Sequence, residues 1–215
     1  PAQALSQVRL VAMDMDSTLI TIECVDEIAD AQGIKPQVAA ITERAMRGEI
    51  DFAESLKARV ALLAGVPVSA LEAIYADRLR LSPGAENLLA TLHAQGTKTL
   101  LVSGGFTFFT DRLRDRLQLT AAMSNVLDIA GGHLTGKLTG DLVDAEAKAR
   151  EVRRWARDAR ADGGLVVALG DGANDLPMFA AADVSIAWRA KPVVRARATH
   201  AIDHCGLDAV LNLFA

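Results

Sequence analysis

The sequence is poor in cysteine and in aromatic residues, and it has no excess of basic side chains. Cys24 and Cys205 are its only cysteines, and their wide separation excludes a disulfide scaffold or a cysteine-rich zinc module. Trp, Tyr and Phe together make up 4% of the chain, which disfavours an aromatic-rich β-sandwich. Lys and Arg number 23 against 27 Asp and Glu, so the composition does not indicate a nucleic-acid binder.

Long apolar runs are also missing. No segment reaches the roughly 18 residues that a membrane span needs, and nothing ahead of the first apolar segment is typical of a signal peptide. Reduced cysteines are the rule in the cytoplasm, so we expect a cytoplasmic protein that binds neither membranes nor nucleic acids. The chain has a formal charge of −4, so its overall field would not attract an anionic ligand. Local positive charge or a metal ion would have to bind such a ligand.

What the chain has in quantity is aliphatic side chains, which bring its hydrophobic content to 51%. They occur in short runs that end at polar residues or glycine, and most runs are separated by stretches of helical periodicity. This alternation predicts an α/β fold in which helices cover both faces of a parallel sheet. The predicted strands are residues 8–13, 100–102, 165–169, 184–187 and 199–202. The predicted helices are residues 83–95, 107–117, 145–161, 175–182 and 207–214.

Residues 19–81 break this alternation. They show helical periodicity without a convincing strand, and they are too many for an ordinary crossover connection. We expect a small helical bundle that is inserted after the first strand and covers the strand ends as a cap. The chain would then divide into a core of residues 1–18 and 82–215 and a cap of residues 19–81. A second irregularity, residues 124–141, predicts a hairpin that turns at Gly131-Gly132.

Polar motifs follow three of the predicted strands, and in open α/β sheets ligands bind beyond the carboxyl ends of the strands. The motifs are D-M-D-S-T at 14–18, S-G-G at 103–105 and G-D-G-A-N-D at 170–175. Asp14 and Asp16 are two residues apart and so point the same way. The three carboxylates of Asp14, Asp16 and Asp171 would repel one another unless a cation neutralised their charge. Such an oxygen-rich site suits Mg²⁺. Each aspartate alone is as easily a turn or cap residue, but three matches together favour a metal site.

In order and spacing, these motifs and Lys148 resemble the haloacid dehalogenase superfamily of phosphotransferases, and the resemblance covers nearly the whole chain. It implies a Rossmann-like core and a reaction through a phospho-aspartate. By this resemblance Asp14 would be the nucleophile and Asp16 the general acid and base. Lys148 would neutralise charge on the nucleophile and the phosphate. Taken alone, Lys148 is more simply a solvated lysine on a helix.

The resemblance also implies the remaining site residues. Mg²⁺ would be held by Asp14, by the backbone carbonyl of Asp16 and by Asp171. Thr18 and Asp175 would hold the metal-binding and catalytic groups in place without contacting the substrate themselves. Asp175 would do so by orienting Lys148 or metal-bound water. The groups that bind the phosphate would be Ser103, the backbone amide of Gly104 and Asn174.

The predicted cap resembles that of phosphoserine phosphatases. The likeness lies in residues 14–29, in E-R-A-M-R-G at 43–48, around residues 51–60 and in V-S-G-G-F at 102–106. It implies that Glu23 binds the substrate ammonium, that Arg59 binds its carboxylate, and that Met46 and Phe52 form apolar walls. Without the resemblance, Glu23 is more simply a first-turn helix acid and Arg59 a solvated arginine. Met46 and Phe52 would by default be ordinary core residues.

The implied activity is Mg²⁺-dependent hydrolysis of O-phospho-L-serine in serine biosynthesis, by a chain for which a homodimer is left open. One alternative is a phosphatase for another small phosphomonoester, or a phosphotransferase that passes the phosphoryl group to another hydroxyl. The same phospho-aspartate serves all of these outcomes. A signalling receiver module also phosphorylates an aspartate beside Mg²⁺, but the chain length and the helical insertion disfavour it.

Overall fold

Seven strands form one sheet at the centre of the computed structural model, which describes residues 3–161 and 163–215. The strands are β1 (Val8–Met13), β2 (Lys98–Phe106), β3 (Ala121–Ala130), β4 (His133–Thr139), β5 (Leu165–Gly170), β6 (Val184–Trp188) and β7 (His200–Ile202). Their order is β4-β3-β2-β1-β5-β6-β7, and every neighbouring pair except β3–β4 is parallel. The predicted α/β class with a mostly parallel sheet is therefore confirmed.

Helices cover both faces of this sheet. The α-helices of the described residues are α1 (Cys24–Ala31), α2 (Lys35–Met46), α3 (Phe52–Ala61), α4 (Val68–Ala73), α5 (Ala85–Ala94), α6 (Thr107–Leu117), α7 (Ala145–Ala161), α8 (Leu176–Phe179) and α9 (Pro192–Arg195). In β1, Val11 and Met13 pack in the core cluster that includes α5 and α6, whereas Leu10 and Ala12 pack in the cluster that includes α7 and α8. Burial on two faces explains the unbroken apolar runs in the sequence. No helix of the described residues combines the length and the apolar character that crossing a membrane requires.

Two predicted helices differ from expectation. Within residues 175–182, only Leu176–Phe179 is α-helical, because the chain must return into β6 at Val184. The C-terminal segment predicted as a helix forms 3₁₀ turns at Leu207–Leu213. Both segments still bury apolar side chains against the sheet, as the apolar periodicity of their sequences predicts.

The segment between β1 and α5 is helical, as predicted. Ile28 of α1, Leu56 and Val60 of α3, and Leu71 of α4 are all buried, whereas α2 buries only Val38. Helix α3 begins with a capping box, in which the Asp51 carboxylate accepts from the Glu54 amide at 2.7 Å and the Glu54 carboxylate accepts from the Asp51 amide at 3.1 Å. The segment that leaves β1 and the segment that returns towards α5 lie side by side, because Ile20 and Leu81 form an antiparallel bridge.

The predicted hairpin is present as β3 and β4, and its turn is Gly131-Gly132, both of which have positive φ angles (57° and 77°). Its first strand is longer than predicted, because Ala121–Met123 pair in parallel with β2 ahead of the antiparallel pairing with β4. β2 is longer as well. It continues through the S-G-G motif to Phe106, which pairs with Asn125 of β3.

Candidate active site

The three polar motifs meet at the carboxyl ends of β1, β2 and β5, where they line one cavity of about 130 Å³. Parallel strands place their carboxyl ends on one edge of the sheet, which is why motifs that are distant in sequence converge there. Helix α3 and the start of α1 cover the cavity. Its lining residues are Asp14, Asp16, Glu23, Val25, Phe52, Leu56, Arg59, Ser103, Gly104, Gly105, Phe106, Asp171 and Asn174.

Asp14 ends β1 at the base of the cavity beside a buried lysine. Its Oδ1 accepts from the Met15 amide at 2.7 Å, and its Oδ2 lies 2.8 Å from Lys148 Nζ. Lys148 projects from α7, is 1% exposed, and also contacts Asp175 Oδ1 at 2.6 Å. Burial alone would lower the pKa of Lys148, but Asp14 and Asp175 outweigh it and raise the pKa above its usual value. A fixed cation therefore stands beside the Asp14 carboxylate.

Carboxylate oxygens of Asp14, Asp171 and Asp175 lie within 4.8 Å of one another. Asp175 is already engaged by other donors, because its Oδ2 accepts from the amides of Asp171 and Gly172 at 3.1 Å each and its Oδ1 accepts from Lys148. Asp171 accepts only a hydrogen bond from Thr18 Oγ1, at 3.0 Å, among the side-chain donors of the described residues. Hard carboxylate oxygens of this kind fit a divalent cation, with Asp14 and Asp171 as the available pair.

The chain makes an unusual turn directly after Asp14. The amide of Leu19 donates to the Asp14 carbonyl at 3.3 Å and that of Ile20 to the Met15 carbonyl at 3.0 Å, while Ser17 has a φ of 54°. A non-glycine residue in this left-handed region costs on the order of 1 kcal/mol or more. The turn brings Ser17 Oγ to within 2.5 Å of a carboxylate oxygen of Glu23.

Asp16 faces the cavity from this turn. Its Oδ1 accepts from the Cys24 amide at 3.3 Å. Burial, followed by the negative charges of Glu23 and Asp14, raises the pKa of the Asp16 carboxyl well above its usual value. The side chain of Asp16 is not part of the oxygen cluster formed by Asp14, Asp171 and Asp175.

The S-G-G motif lines another part of the cavity, where its backbone packs closely against neighbouring side chains. Ser103 is buried, and its Oγ accepts from the Gly105 amide at 2.9 Å. A Cβ at Gly105 would lie 2.8 Å from Met15 Cε and 3.2 Å from Asp16 Oδ2, so only glycine fits this position without displacement. A Cβ at Gly104 would meet the Phe52 ring at 3.3 Å.

Asn125 is a site-supporting residue that the sequence reasoning missed. It is 1% exposed on β3, and its Nδ2 donates to the Gly104 carbonyl at 2.8 Å. Its Oδ1 accepts from the Val143 amide at 2.8 Å, just ahead of the helix that carries Lys148. The signal was a polar Asn in a segment predicted as strand, where that residue type is uncommon.

Glu23 and Arg59 line the outer part of the cavity. Partial desolvation raises the pKa of the Glu23 carboxyl, and Asp171 and Asp14 add to the shift against the hydrogen bond from Ser17. Arg59 Nε is 3.4 Å from the Ser55 carbonyl, and no carboxylate of the described residues lies within salt-bridge distance of its guanidinium. Burial lowers the pKa of Arg59, although guanidinium stays charged at any ordinary pH. The cavity thus presents a free cation and an anion in the same wall.

The predicted apolar walls are only partly assembled. Phe52 lines the cavity at the start of α3, together with Leu56, Val25 and Phe106, which the sequence reasoning did not single out. Met46 does not reach it. It ends α2 with 72% of its surface exposed and is not among the lining residues, since α2 lies at the surface and fully buries Val38 alone of its side chains. Asn174 also lines the cavity, with its Nδ2 3.4 Å from Asp14 Oδ2.

Comparison with known proteins agrees with this geometry. The family model for haloacid dehalogenase-like hydrolases matches residues 11–180. A phosphoserine phosphatase from Polaromonas sp. (strain JS666) is 52% identical over 218 residues, covering 99% of this chain and 92% of that protein. An HAD family hydrolase from Salmonella enterica serovar Typhi superimposes with a TM-score of 0.91 at 42% identity, over 100% of this chain and 72% of that chain.

A solved structure described as a phospho-aspartyl intermediate analogue of phosphoserine phosphatase gives a TM-score of 0.86 at 34% identity. The match covers 97% of this chain and 100% of that chain. Three independent kinds of comparison therefore agree with the motifs and with the sheet. The chain belongs to the haloacid dehalogenase-like hydrolase family.

Proposed function

We propose that this chain is a Mg²⁺-dependent phosphoserine phosphatase that hydrolyses O-phospho-L-serine to L-serine and phosphate in serine biosynthesis. The observation that carries the proposal is one cavity with Asp14 and Lys148 at its base and with Glu23 and Arg59 in its wall, where Arg59 forms no salt bridge with any described residue. The base suits a phosphoryl group, and the wall suits an ammonium and a carboxylate. Relatives that are about half identical over the full chain carry the same name.

In the first step, a carboxylate oxygen of Asp14 attacks phosphorus and the bond from phosphorus to the serine oxygen breaks. Asp16, which faces the same cavity, gives its proton to the departing alkoxide. In the second step, Asp16 takes a proton from water, the water oxygen attacks phosphorus, and Asp14 is released with inorganic phosphate. Splitting the reaction in this way lets one carboxyl group act first as acid and then as base.

Charge neutralisation is what makes Asp14 competent, since a carboxylate and a phosphate dianion repel each other. Lys148 supplies one fixed positive charge 2.8 Å from Asp14. Asp14, Asp171 and the backbone carbonyl of Asp16 would hold Mg²⁺. When bound, Mg²⁺ would offset the negative charge of the phosphate and of the surrounding carboxylates. Thr18 and Asp175 would keep Asp171 and Lys148 in place through the hydrogen bonds described above.

The phosphate oxygens would be bound by donors around the base of the cavity. Ser103 Oγ and the Gly104 amide approach from the end of β2, and Asn174 approaches from the end of β5. Asn125 would hold the Gly104 peptide in position through its hydrogen bond to the Gly104 carbonyl. Because Gly104 and Gly105 carry no side chains, a phosphate can approach the backbone of this motif closely.

The division into a core (residues 1–18 and 82–215) and a specificity cap (residues 19–81) belongs to the same proposal. Glu23, Phe52 and Arg59 all lie in the cap segment, so this segment would select the group attached to the phosphate. Met46 would join the wall only after movement of α2, and its role stays a prediction. Two free cysteines are in keeping with the cytoplasm. A homodimer stays a prediction.

The decisive assay measures phosphate release from O-phospho-L-serine and from a panel of other phosphomonoesters, with Mg²⁺ and with excess EDTA. We expect a strong preference for phosphoserine, loss of turnover in EDTA and recovery when Mg²⁺ is restored. Release without any added acceptor would count against a pure phosphotransferase. Mg²⁺-dependent release from other esters but not from phosphoserine would keep the Asp14 mechanism and overturn the roles of Glu23 and Arg59.

Replacement of Arg59 should act on substrate selection rather than on chemistry. For Arg59→Ala we expect kcat/KM for phosphoserine to fall on the order of 100-fold, because charge-assisted hydrogen bonds to the carboxylate are lost. O-Phosphoethanolamine lacks only the carboxylate, and its kcat/KM should change little. Arg44→Ala removes an exposed arginine of α2 and is the matched control. Equal losses on both esters would remove Arg59 from substrate recognition.

A further inference from the structure

The β3–β4 hairpin is hydrogen-bonded to the α3–α4 connection (residues 62–67) and to the first residue of α4. The Gly65 amide donates to the Leu134 carbonyl at 2.8 Å, and the Leu134 amide donates to the Val66 carbonyl at 2.8 Å. The Val68 amide at the start of α4 donates to the Gly132 carbonyl at 2.9 Å. Pro67 and His133 form an antiparallel bridge between these contacts. The hairpin therefore holds the connection that directly follows α3 by backbone bonds that are independent of side-chain identity.

Gly136 of β4 lies in close contact with the end of α3 and the residues that follow it. A Cβ at this position would be 2.9 Å from Ala64 Cβ, 3.1 Å from the Ala61 carbonyl oxygen and 3.4 Å from Ala61 Cα. These atoms belong to the backbone or are one bond from it, so they cannot turn away as a flexible side chain would. Any side chain at Gly136 must therefore move the end of α3 or the hairpin itself.

The helix whose end is held in this way carries Phe52, Leu56 and Arg59 into the cavity. Arg59 is two residues before Ala61, about 3 Å along the helix axis, so a displacement at Gly136 is transmitted to it almost directly. Phe52 lies at the far end of α3. Asp14, Lys148 and the S-G-G motif lie on the sheet and on α7, outside the displaced part.

We infer that Gly136 is a positioning residue that sets the place of Arg59 in the cavity, and through Arg59 the preference for a substrate that bears a carboxylate. The inference rests on the proposed function. In physical terms, the hairpin fixes the position of the C-terminal half of α3. Only glycine at position 136 allows the hairpin and α3 to approach each other this closely. The chemistry at phosphorus, which uses groups on the sheet, is not affected.

The test uses Gly136→Ala and a matched control, Gly140→Ala. Both glycines have positive φ angles (80° and 74°), so alanine is strained at either position, although Gly136 lies within β4 and Gly140 directly follows it. A Cβ at Gly140 has no atom within 4 Å, so the two variants differ in the contact with α3. For Gly136→Ala we expect the ratio of kcat/KM for phosphoserine to that for phosphoethanolamine to fall about 10-fold. The fall should come from KM for phosphoserine, and Gly140→Ala should keep the wild-type ratio.

A second measurement separates this inference from the proposed substrate. Amide hydrogen exchange at Gly65, Val68 and Leu134 should be faster in Gly136→Ala than in Gly140→Ala, whichever ester the enzyme prefers. Adding Ala64→Gly to Gly136→Ala removes the nearest clashing atom and should restore slow exchange and much of the selectivity. If Gly136→Ala does not fold, Ala64→Val enlarges the same contact at a residue without a positive φ, and it should give the same loss of selectivity.

An unchanged ratio of the two kcat/KM values, or equal changes in both glycine variants, overturns the inference. A wild-type enzyme that does not prefer phosphoserine contradicts the proposed function instead, and the exchange rates then decide the inference alone.

Discussion

Asp14→Asn is expected to lower kcat for phosphoserine on the order of 10⁴-fold or more while leaving the fold intact. An amide has no anionic oxygen to attack phosphorus, so neither step of the reaction can begin, and loss of a nucleophile is among the most damaging changes an enzyme can suffer. The side chain is the same size, and Lys148 keeps its 2.6 Å contact with Asp175. Phosphate release and acid-quenched mass spectrometry measure the effect. The wild type should carry one trapped phosphoryl group, and the variant none.

The matched control for this prediction is Asp26→Asn. Asp26 lies in the first turn of α1, contributes negative charge to the same region and does not line the cavity. Its replacement removes one carboxylate without touching the reacting groups, so turnover should stay close to that of the wild type. Appreciable turnover by Asp14→Asn, or a phosphoryl group trapped on it, would show that another residue is the nucleophile.

Local sequence patterns predict that the motifs of Asp14, Ser103 and Asp171 meet at one edge of the sheet. Asp14, Ser103 and Asp171 each follow a short apolar run that ends at polar residues or glycine, a pattern typical of a strand in a covered parallel sheet. Their convergence then follows from the geometry of that sheet, without knowledge of any side-chain contact. The hairpin was predictable for a similar reason, because Gly131-Gly132 supplies the positive φ angles that a tight turn requires.

What the sequence did not predict depends on contacts between distant segments. By its pattern alone Lys148 is an exposed helix residue, yet it is 1% exposed, because α7 packs on the face of β1 and β5 and its side chain reaches Asp14 and Asp175. Asn125 is important only because β3 pairs with the end of β2. Met46 was placed in the cavity wall from resemblance, and its exposure reflects how α2 packs on the other helices. Periodicity describes one element at a time and carries no information about such placements.

Lys148→Met is expected to destabilise the protein by about 3–5 kcal/mol, measured without metal, in addition to a severe loss of activity. Methionine keeps most of the volume of the side chain but removes the charge that lies 2.8 Å from Asp14 and 2.6 Å from Asp175. Two buried carboxylates would then face each other without a counter-charge, which is far less favourable than leaving an exposed carboxylate unpaired. Urea unfolding in EDTA gives the free-energy difference, and phosphate release gives the loss in turnover.

A second substitution distinguishes the loss of charge from simple loss of packing. Adding Asp175→Asn to Lys148→Met removes one of the two opposed charges, while the Asn oxygen can still accept from the Asp171 and Gly172 amides. The double variant should therefore be more stable than Lys148→Met alone, although it remains inactive. Lys137→Met, at an exposed position of β4, is the control and should unfold at nearly the wild-type urea concentration. If Lys148→Met is as stable as this control, the buried cation does not hold the acidic cluster together, and its importance is confined to catalysis.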